Sequence, residues 1–406
     1  MMFLIIFLNF FAALHGLEGS NGNTVRSPPV IPHVPSIDQL AARGGYKATN
    51  YEIITEDGYS IWLHRIGKNS GSPVLIQHGV MVAADSWIIR GRNKKDLAFM
   101  LLDNGYDVWL SNQRGTFFNE YSIKYNRTDP RFWDFSFHES GIYDLPAAID
   151  KILEVRKVEK IFYIGHSLGT ITFAVMGTMK PEYNNKVEAA MFMSPVVYLK
   201  AVNKLPPLIA RIAPIRNIIY TALTNSGNFD LDPRNTEVPG TLKMLCGPQA
   251  VTHPLCLGIF GFFAGENPRN MNPEDWSNFL LHVSGTSLKN LVHELQLSTS
   301  GEFQQFDYGP IGNMKKYNSM KPPKYDLNLL TTPIGLFWCY NDQFADEESV
   351  KRLENALPNL LVSFPIADRT FSHLDMVIGD NANIVLYPYI IKEIDSINKK
   401  KMREKL

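Results

Sequence analysis

The 406-residue sequence has no net charge, few cysteines and no long apolar run beyond its first residues. Lysine and arginine together number 40, as do aspartate and glutamate, so the chain lacks the basic excess typical of nucleic-acid binding. Only three cysteines are present, without a paired-cysteine zinc spacing, an HExxH metal motif or a phosphate-cradling glycine loop. We therefore expect no nucleic acid partner, no metal and no organic cofactor.

The one pronounced apolar run lies at the N-terminus, where about a dozen residues from Phe3 to Leu14 are short for a bilayer span. It predicts a signal peptide over residues 1–19, with a short membrane anchor as the alternative. No later run is long enough to cross a membrane, so we expect no integral span in the mature chain. Secretion is the expected localisation, and the lysosome is the alternative.

The cysteines and one sequence triplet fit an oxidising compartment. Cys246 and Cys256 lie ten positions apart, a spacing that suits a local disulfide stabilising the fold by about 3 kcal/mol. Cys339 lies inside the apolar run PIGLFWCY and is expected to be a buried free thiol. Asn126 begins the only N-glycosylation triplet, so it is the predicted glycan site.

Strand-like and helix-like segments alternate from Tyr51 onward, beginning with a hairpin around Asp57. Strands separated by helices predict an α/β fold, with a mostly parallel central sheet and helices on both faces. The alternation stops between residues 196 and 327, where the segments are apolar and helical or interrupted by proline. We therefore expect a core formed by residues 20–195 and 328–406, interrupted by a helical cap over 196–327.

Residues 165–169 read GHSLG, a G-x-S-x-G pattern between the strand-like KIFYIGHS and the helix-like TITFAVMGTM. The two glycines allow a tight turn that projects the Ser167 hydroxyl beyond the sheet edge, with a helix N-terminus behind it. A small turn residue without chemistry is the alternative interpretation. The strand-turn-helix context favours Ser167 as a nucleophile.

A serine nucleophile needs a histidine base and a carboxylate that orients the histidine, in the chain order serine, acid, histidine. The histidines that follow Ser167 are His253, His282, His293 and His373. The first three fall in the predicted cap, whereas His373 follows the final strand and is the predicted base. Asp342 directly follows the strand PIGLFWCYN and is preferred as the acid over Asp346, which suits the cap of the next helix.

The negative oxygen of a tetrahedral intermediate needs backbone N–H donors. One is expected from Leu168, the residue after the serine, and the other from the loop after the early strand in LIQHGVMVAADSW. Val80 is the predicted second donor. His78 precedes the serine, so we expect it to brace this loop rather than act as the base.

The motifs QHG, GYDVWLSNQRG, FWDFSFHESGIYDLPAAID, GHSLGT, PPKYDL and FSHLDM occur in this order. The chain resembles the acid lipase family, which includes gastric and lysosomal lipases, from about Ile37 to Pro388. This resemblance implies an α/β-hydrolase fold, Ser167 as nucleophile, Asp342 as acid and His373 as base. It also implies ester hydrolysis beneath a helical cap. Family members commonly have Gln, Asn and an aromatic residue where this chain has Leu168, Thr116 and Glu294.

The triad alone does not distinguish a peptidase, a hydrolase of small esters and a lipase. The predicted cap contains LIARIAPIRNIIYTALT and LGIFGFFAG, whose apolar side chains suit long acyl chains. We therefore expect a lipase that hydrolyses triacylglycerol or sterol esters at a lipid–water interface through an acyl-enzyme. The alternatives are a carboxylesterase for smaller esters and a non-catalytic lipid-binding protein that kept the fold.

Overall fold

The computed structural model describes residues 34–68, 70–119, 121–199, 220–221, 224, 238–265, 267 and 270–404. The predicted signal peptide and most of the segment LIARIAPIRNIIYTALT lie outside these residues. None of the described helices combines the length and apolar content needed to cross a bilayer.

The described strands form one eight-stranded sheet in the order β1-β2-β4-β3-β5-β6-β7-β8. The strands are β1 Ala48–Ile54, β2 Ser60–Ile66, β3 Pro73–Gln77, β4 Asp107–Ser111, β5 Ile161–His166, β6 Val187–Met193, β7 Ile334–Trp338 and β8 Leu360–Pro365. Strands β1 and β2 form the predicted hairpin, and β2 is also antiparallel to β4. All neighbours from β4 to β8 are parallel, which confirms the mostly parallel sheet.

The sheet is buried on both faces because apolar side chains point to both sides of its central strands. Along β3, Val74 and Ile76 belong to one apolar cluster, whereas Leu75 belongs to the other. The same alternation occurs in β5, where Ile164 and Tyr163 lie on opposite faces. Continuous apolar runs are typical of parallel strands covered by helices on both sides.

Helices cover both faces of this sheet. They are α1 Ile37–Arg43, α2 Leu97–Asp103, α3 Leu145–Arg156, α4 Leu168–Met179, α5 Val238–Cys246, α6 His253–Ala264, α7 Pro273–Leu281, α8 Leu288–Ser300, α9 Gly309–Tyr317, α10 Glu347–Ala356, α11 Asp375–Ile378, α12 Ala382–Val385 and α13 Tyr387–Glu404. Residues of α1, α2 and α13 share one cluster, and residues of α3, α4 and α10 share the other. A short turn at Phe137–Glu139 and a π-helical turn at Ser140–Asp144 lead into α3.

Helices α5 to α9 lie between β6 and β7, so the described part of the predicted cap is helical. An isolated bridge between Gln304 and Lys324 adds a small extended contact. The insertion packs directly on the sheet domain, because Trp276 and Leu280 of α7 belong to the same apolar cluster as β3 and α2. This shared core fixes α7 to the sheet domain.

The strand order brings the chemically important loops together. Strand β3 lies between β4 and β5, so the chain leaves β3 towards one side and later returns on the other. Loops at the carboxyl ends of adjacent parallel strands form a crevice at such a switch point. The loops after β3, β5, β7 and β8 therefore share one edge of the sheet, and they carry the predicted site residues.

Candidate active site

Ser167 lies on the sharp turn between β5 and α4, where its backbone has φ 53° and ψ −119°. This left-handed conformation is strained for a residue with a side chain, by roughly 1–3 kcal/mol. Hydrogen bonds hold it: the Ser167 N–H donates to Met193 O over 3.0 Å, and its carbonyl accepts from Thr170 N over 2.8 Å. The Thr170 hydroxyl donates to the same carbonyl. The turn is thus fixed from both sides.

The glycines of the motif are required by close packing. A Cβ on Gly165 would lie 2.8 Å from the Tyr163 ring and 2.9 Å from the Gly169 carbonyl carbon. A Cβ on Gly169 would lie 2.9 Å from the Gln77 carbonyl oxygen at the end of β3. The positive φ therefore belongs to Ser167 itself, while the glycines let β5, α4 and the β3 loop approach one another.

Asp342 and His373, the predicted acid and base, are in direct contact. His373 Nδ1 donates to Asp342 Oδ2 over 2.8 Å, and the two side chains are 6% and 0% exposed. The other carboxylate oxygen, Oδ1, accepts from the backbone N–H groups of Phe344 and Ala345 over 2.8 and 2.9 Å. This leaves Nε2 as the free nitrogen of the imidazole for proton transfer.

The Asp342 carboxylate is held in its charged form. Burial by itself raises its pKa, but the contact with His373, the hydroxyl of Ser194 and the backbone N–H donors together lower the pKa to about 2. Asp342 therefore stays ionised in acid as well as neutral solution. A charged carboxylate fixes the His373 tautomer and stabilises its imidazolium form.

His166 connects the serine turn with the histidine loop. Its Nε2 donates to the His373 carbonyl oxygen over 3.1 Å, and the two imidazole rings lie 4.7 Å apart. Burial lowers the pKa of His166 to about 3, so the ring remains neutral above that pH. The residue that precedes Ser167 thus holds the loop that carries the predicted base.

The loop that carries Val80 lies against the serine. A Cβ on Gly79 would be 3.1 Å from Ser167 Cβ, so the backbone at this point touches the turn. His78 braces the loop as predicted, since its Nδ1 donates to Gly79 O over 2.7 Å and its Nε2 accepts from Gln113 N over 3.1 Å. Leu168 is the first residue of α4, and the amide of such a residue has no acceptor within its helix.

The alternative candidates have structural contacts elsewhere. His282 Nδ1 donates to Asp85 Oδ2 over 2.7 Å, and His293 bonds to Ser136 Oγ and Gln304 O. His253 bonds to the Cys246 carbonyl oxygen. Asp346 caps α10 by accepting from Ser349 N over 2.8 Å, as predicted.

The remaining residues singled out in the sequence are the three cysteines and Asn126. Cys246 and Cys256 form a disulfide that joins α5 to α6, and Cys339 is a buried free thiol. Asn126 is exposed, and its side-chain oxygen accepts from Thr128 N over 3.1 Å. The Asn126 side chain is therefore accessible to a modifying enzyme.

The insertion also contacts the loops of the acid and the base, through residues that the sequence analysis did not single out. A Cβ on Gly265 would lie 2.0 Å from Asn341 O and 3.1 Å from Ser372 Cβ. Asn267 Nδ2 donates to Asp375 Oδ2 over 2.8 Å. The isolated Gly and Asn are common residues in loops, so no local pattern indicates these contacts.

Comparisons with known proteins identify the fold and the family of the chain. Residues 37–91 match the model of the partial alpha/beta-hydrolase lipase region, and residues 72–377 match that of the alpha/beta hydrolase fold. Gastric triacylglycerol lipase of Rattus norvegicus is 34% identical over 395 residues, covering 95% of this chain and 96% of that protein. Lipase 1 of Drosophila melanogaster is 32% identical over 367 residues, covering 89% of this chain and 80% of that protein.

A solved structure of a candidate lipase from Sulfolobus solfataricus has a TM-score of 0.57 at 13% identity, covering 86% of this chain and 94% of that one. At this identity the likeness concerns the fold alone. The family assignment rests on the family-model matches and on relatives that align over most of the chain. The chain belongs to the lipase family of α/β hydrolases, which includes the gastric triacylglycerol lipases, and is a carboxylic ester hydrolase.

Proposed function

We propose that the protein hydrolyses the ester bonds of lipids, triacylglycerols or sterol esters, with Ser167, His373 and Asp342 as its catalytic triad. The observation that carries the proposal is the buried 2.8 Å contact between His373 Nδ1 and Asp342 Oδ2. It lies in the crevice that also contains the strained Ser167 turn. The names of the relatives support a lipid ester as the substrate.

The reaction proceeds through an acyl-enzyme. Ser167 Oγ attacks the ester carbonyl carbon while His373 Nε2 takes the hydroxyl proton, and Asp342 stabilises the imidazolium. The N–H groups of Val80 and Leu168 donate to the oxyanion. When the intermediate collapses, the alcohol leaves with the proton from His373. A water molecule then gives a proton to His373 and attacks the acyl carbon. When this second intermediate collapses, the fatty acid is released and His373 returns the proton to Ser167 Oγ.

An exposed apolar surface on the insertion supports contact with a lipid–water interface. Met244 of α5, Val251 of the connecting loop and Leu255 of α6 are 69%, 100% and 64% exposed. The disulfide between Cys246 and Cys256 holds α5 and α6 together at this place. Apolar side chains held in water are typical of surfaces that meet a lipid layer.

The substrate class is tested by the acyl-chain profile of the full chain. Each methylene of a buried acyl chain contributes about 0.8 kcal/mol before ordering costs, so we expect kcat/KM for emulsified long-chain esters to exceed that for acetate esters at least about tenfold. Titration with a fluorophosphonate measures reactive serine in the same sample. A reversed profile would indicate a carboxylesterase. Absence of both turnover and labelling would indicate a lipid-binding protein.

We propose that the protein is secreted, with the lysosome as the alternative. The disulfide and the exposed Asn126 triplet support passage through an oxidising compartment. On expression in a eukaryotic secretory cell, the protein is expected to show a glycosidase-sensitive mobility shift that Asn126→Gln removes. A wild-type protein retained in the cytosol without this shift would contradict the proposal. The distribution between medium and lysosomes separates the two destinations.

A further inference from the structure

The loop that carries Val80 is held from the insertion side as well as from the sheet. Met81, directly after Val80, has φ 57°, a left-handed conformation for a residue with a side chain. Such strain persists only where the surroundings hold it. The Met81 carbonyl oxygen accepts from Ser284 N–H over 2.9 Å, and Ser284 belongs to the segment between α7 and α8.

A second contact holds the same loop four residues later. Asp85 Oδ2 accepts from His282 Nδ1 over 2.7 Å, with the side chains 0% and 3% exposed. Asp85 lies in the short 3-10 helix Ala84–Trp87 that ends the loop. A hydrogen bond of this length between two buried side chains is directional, so it fixes this end of the loop to the insertion.

The segment that makes these contacts is itself rigidly placed. Ser284 is fully buried, and its hydroxyl accepts from Phe117 N–H over 2.9 Å. Before the segment, Trp276 and Leu280 anchor α7 in the main apolar cluster. After it, Ser287 caps α8 by accepting from Asn290 N over 3.0 Å. The segment therefore acts as a strut between two anchored helices and the loop.

We infer that the strut His282–Ser284 positions the oxyanion-binding loop, so that the helical insertion takes part in transition-state stabilisation in addition to covering the substrate. The inference rests on the proposed role of Val80. His282, Asp85 and Ser284 are positioning residues, because they act through the backbone of the loop. An oxyanion donor contributes on the order of 10²- to 10³-fold to the rate only when its N–H is aligned with the developing charge.

The central test compares two buried histidines of the insertion in the full-length protein. His282→Leu removes the bond to Asp85, whereas His293→Leu removes bonds to Ser136 and Gln304, neither of which belongs to the loop that carries Val80. With a soluble short-chain ester we expect His282→Leu to lower kcat at least about tenfold with little change in KM, because the N–H donor is misaligned. We expect His293→Leu to retain kcat within about threefold.

Conservative variants separate positioning from folding. His282→Asn keeps a donor at the place of Nδ1 and is expected to restore most of the lost kcat. Because His282→Leu removes a hydrogen-bond donor from a buried carboxyl group and can unfold the protein, Ser284→Ala is the second variant, matched to Ser287→Ala. Both serines are fully buried in the insertion. Ser284 contacts Met81 through its backbone N–H, which alanine keeps, but its hydroxyl accepts from Phe117 N–H and so holds Ser284 in place against the loop. The Ser287 hydroxyl instead bonds to Phe135 O and Asn290 N. We expect Ser284→Ala to lower kcat more than Ser287→Ala.

A trifluoromethyl ketone, whose adduct carries an oxyanion, provides the decisive measurement. Its affinity should fall with kcat in His282→Leu and Ser284→Ala, while the affinity for an uncharged ether analogue of the substrate stays constant. Equal losses in each matched pair, or changes confined to KM, would overturn the inference while leaving the proposed function intact. A wild-type protein without turnover or fluorophosphonate labelling would instead contradict the proposed function.

Discussion

Ser167→Ala is expected to abolish the hydrolysis of both long-chain and short-chain esters, with a fall in kcat on the order of 10⁶-fold. The variant removes the hydroxyl that is the proposed nucleophile, while the turn keeps its backbone bonds to Met193 and Thr170. Binding of the substrate should persist, because the apolar and oxyanion contacts remain. The measurement is turnover of emulsified and soluble esters together with fluorophosphonate labelling, which should disappear.

The matched control is Ser298→Ala. The Ser298 hydroxyl is buried in α8, with no hydrogen-bond partner in the described part of the chain. Its removal should change neither turnover nor labelling. Thermal unfolding of both variants should remain close to that of the wild type, so that a loss of activity in Ser167→Ala is a loss of chemistry. Retained turnover in folded Ser167→Ala would exclude this residue as the nucleophile.

The parts of the site that were predictable from sequence are those encoded locally. The serine turn combines a strand, two closely packed glycines and a helix between Ile161 and Met179, so the pattern carries its own structural context. His373 and Asp342 were identifiable because late strands of a parallel sheet end at one edge, and few titratable residues follow those strands. In both cases the alternation of strands and helices restricts where the site residues can lie.

The contacts of the insertion with the loops could not be predicted in the same way. His282 and Asp85 are 197 positions apart, and no periodic pattern relates them. The run FLLHVSGTSLKNLVHELQ lies in the predicted helical cap, but it does not form one helix, because α7 ends at Leu281 and α8 starts at Leu288. This interruption lets the strut His282–Ser284 contact the loop that carries Val80. The break in the helix is a consequence of tertiary packing rather than of local propensity.

The first strand shows the same limit at the sheet edge. The apolar pattern starts at Tyr51, yet β1 begins at Ala48, because Ala48 pairs with Ile66 across the hairpin. Backbone pairing with β2 extends the strand through polar residues that a periodicity argument cannot assign. The loops beyond β3 and β8 depend similarly on backbone contacts with other segments. The residues of these loops could be identified from the sequence, whereas the exact positions of the loops are known only from the structure.

Asp342→Asn is expected to lower kcat by about 10⁴-fold while the protein remains folded. The two backbone N–H donors of Phe344 and Ala345 bind Oδ1 of the carboxylate, so they will also hold the amide oxygen of the asparagine. The amide NH₂ group then faces His373 Nδ1. A donor at this place favours the tautomer that carries its proton on Nε2, and that nitrogen can no longer accept the proton of Ser167.

Asp346→Asn is the matched control for this prediction, because it makes the same change four residues later in the same loop. Asp346 accepts from Ser349 N at the start of α10, and asparagine caps a helix about as well as aspartate. Its kcat should therefore stay within about twofold of the wild-type value. The measurement is kcat for a soluble ester, with thermal unfolding of both variants as the check on folding. The reverse result, with activity lost in Asp346→Asn and kept in Asp342→Asn, would transfer the acid role to Asp346. It would also require the His373 loop to leave its buried contact with Asp342 during turnover.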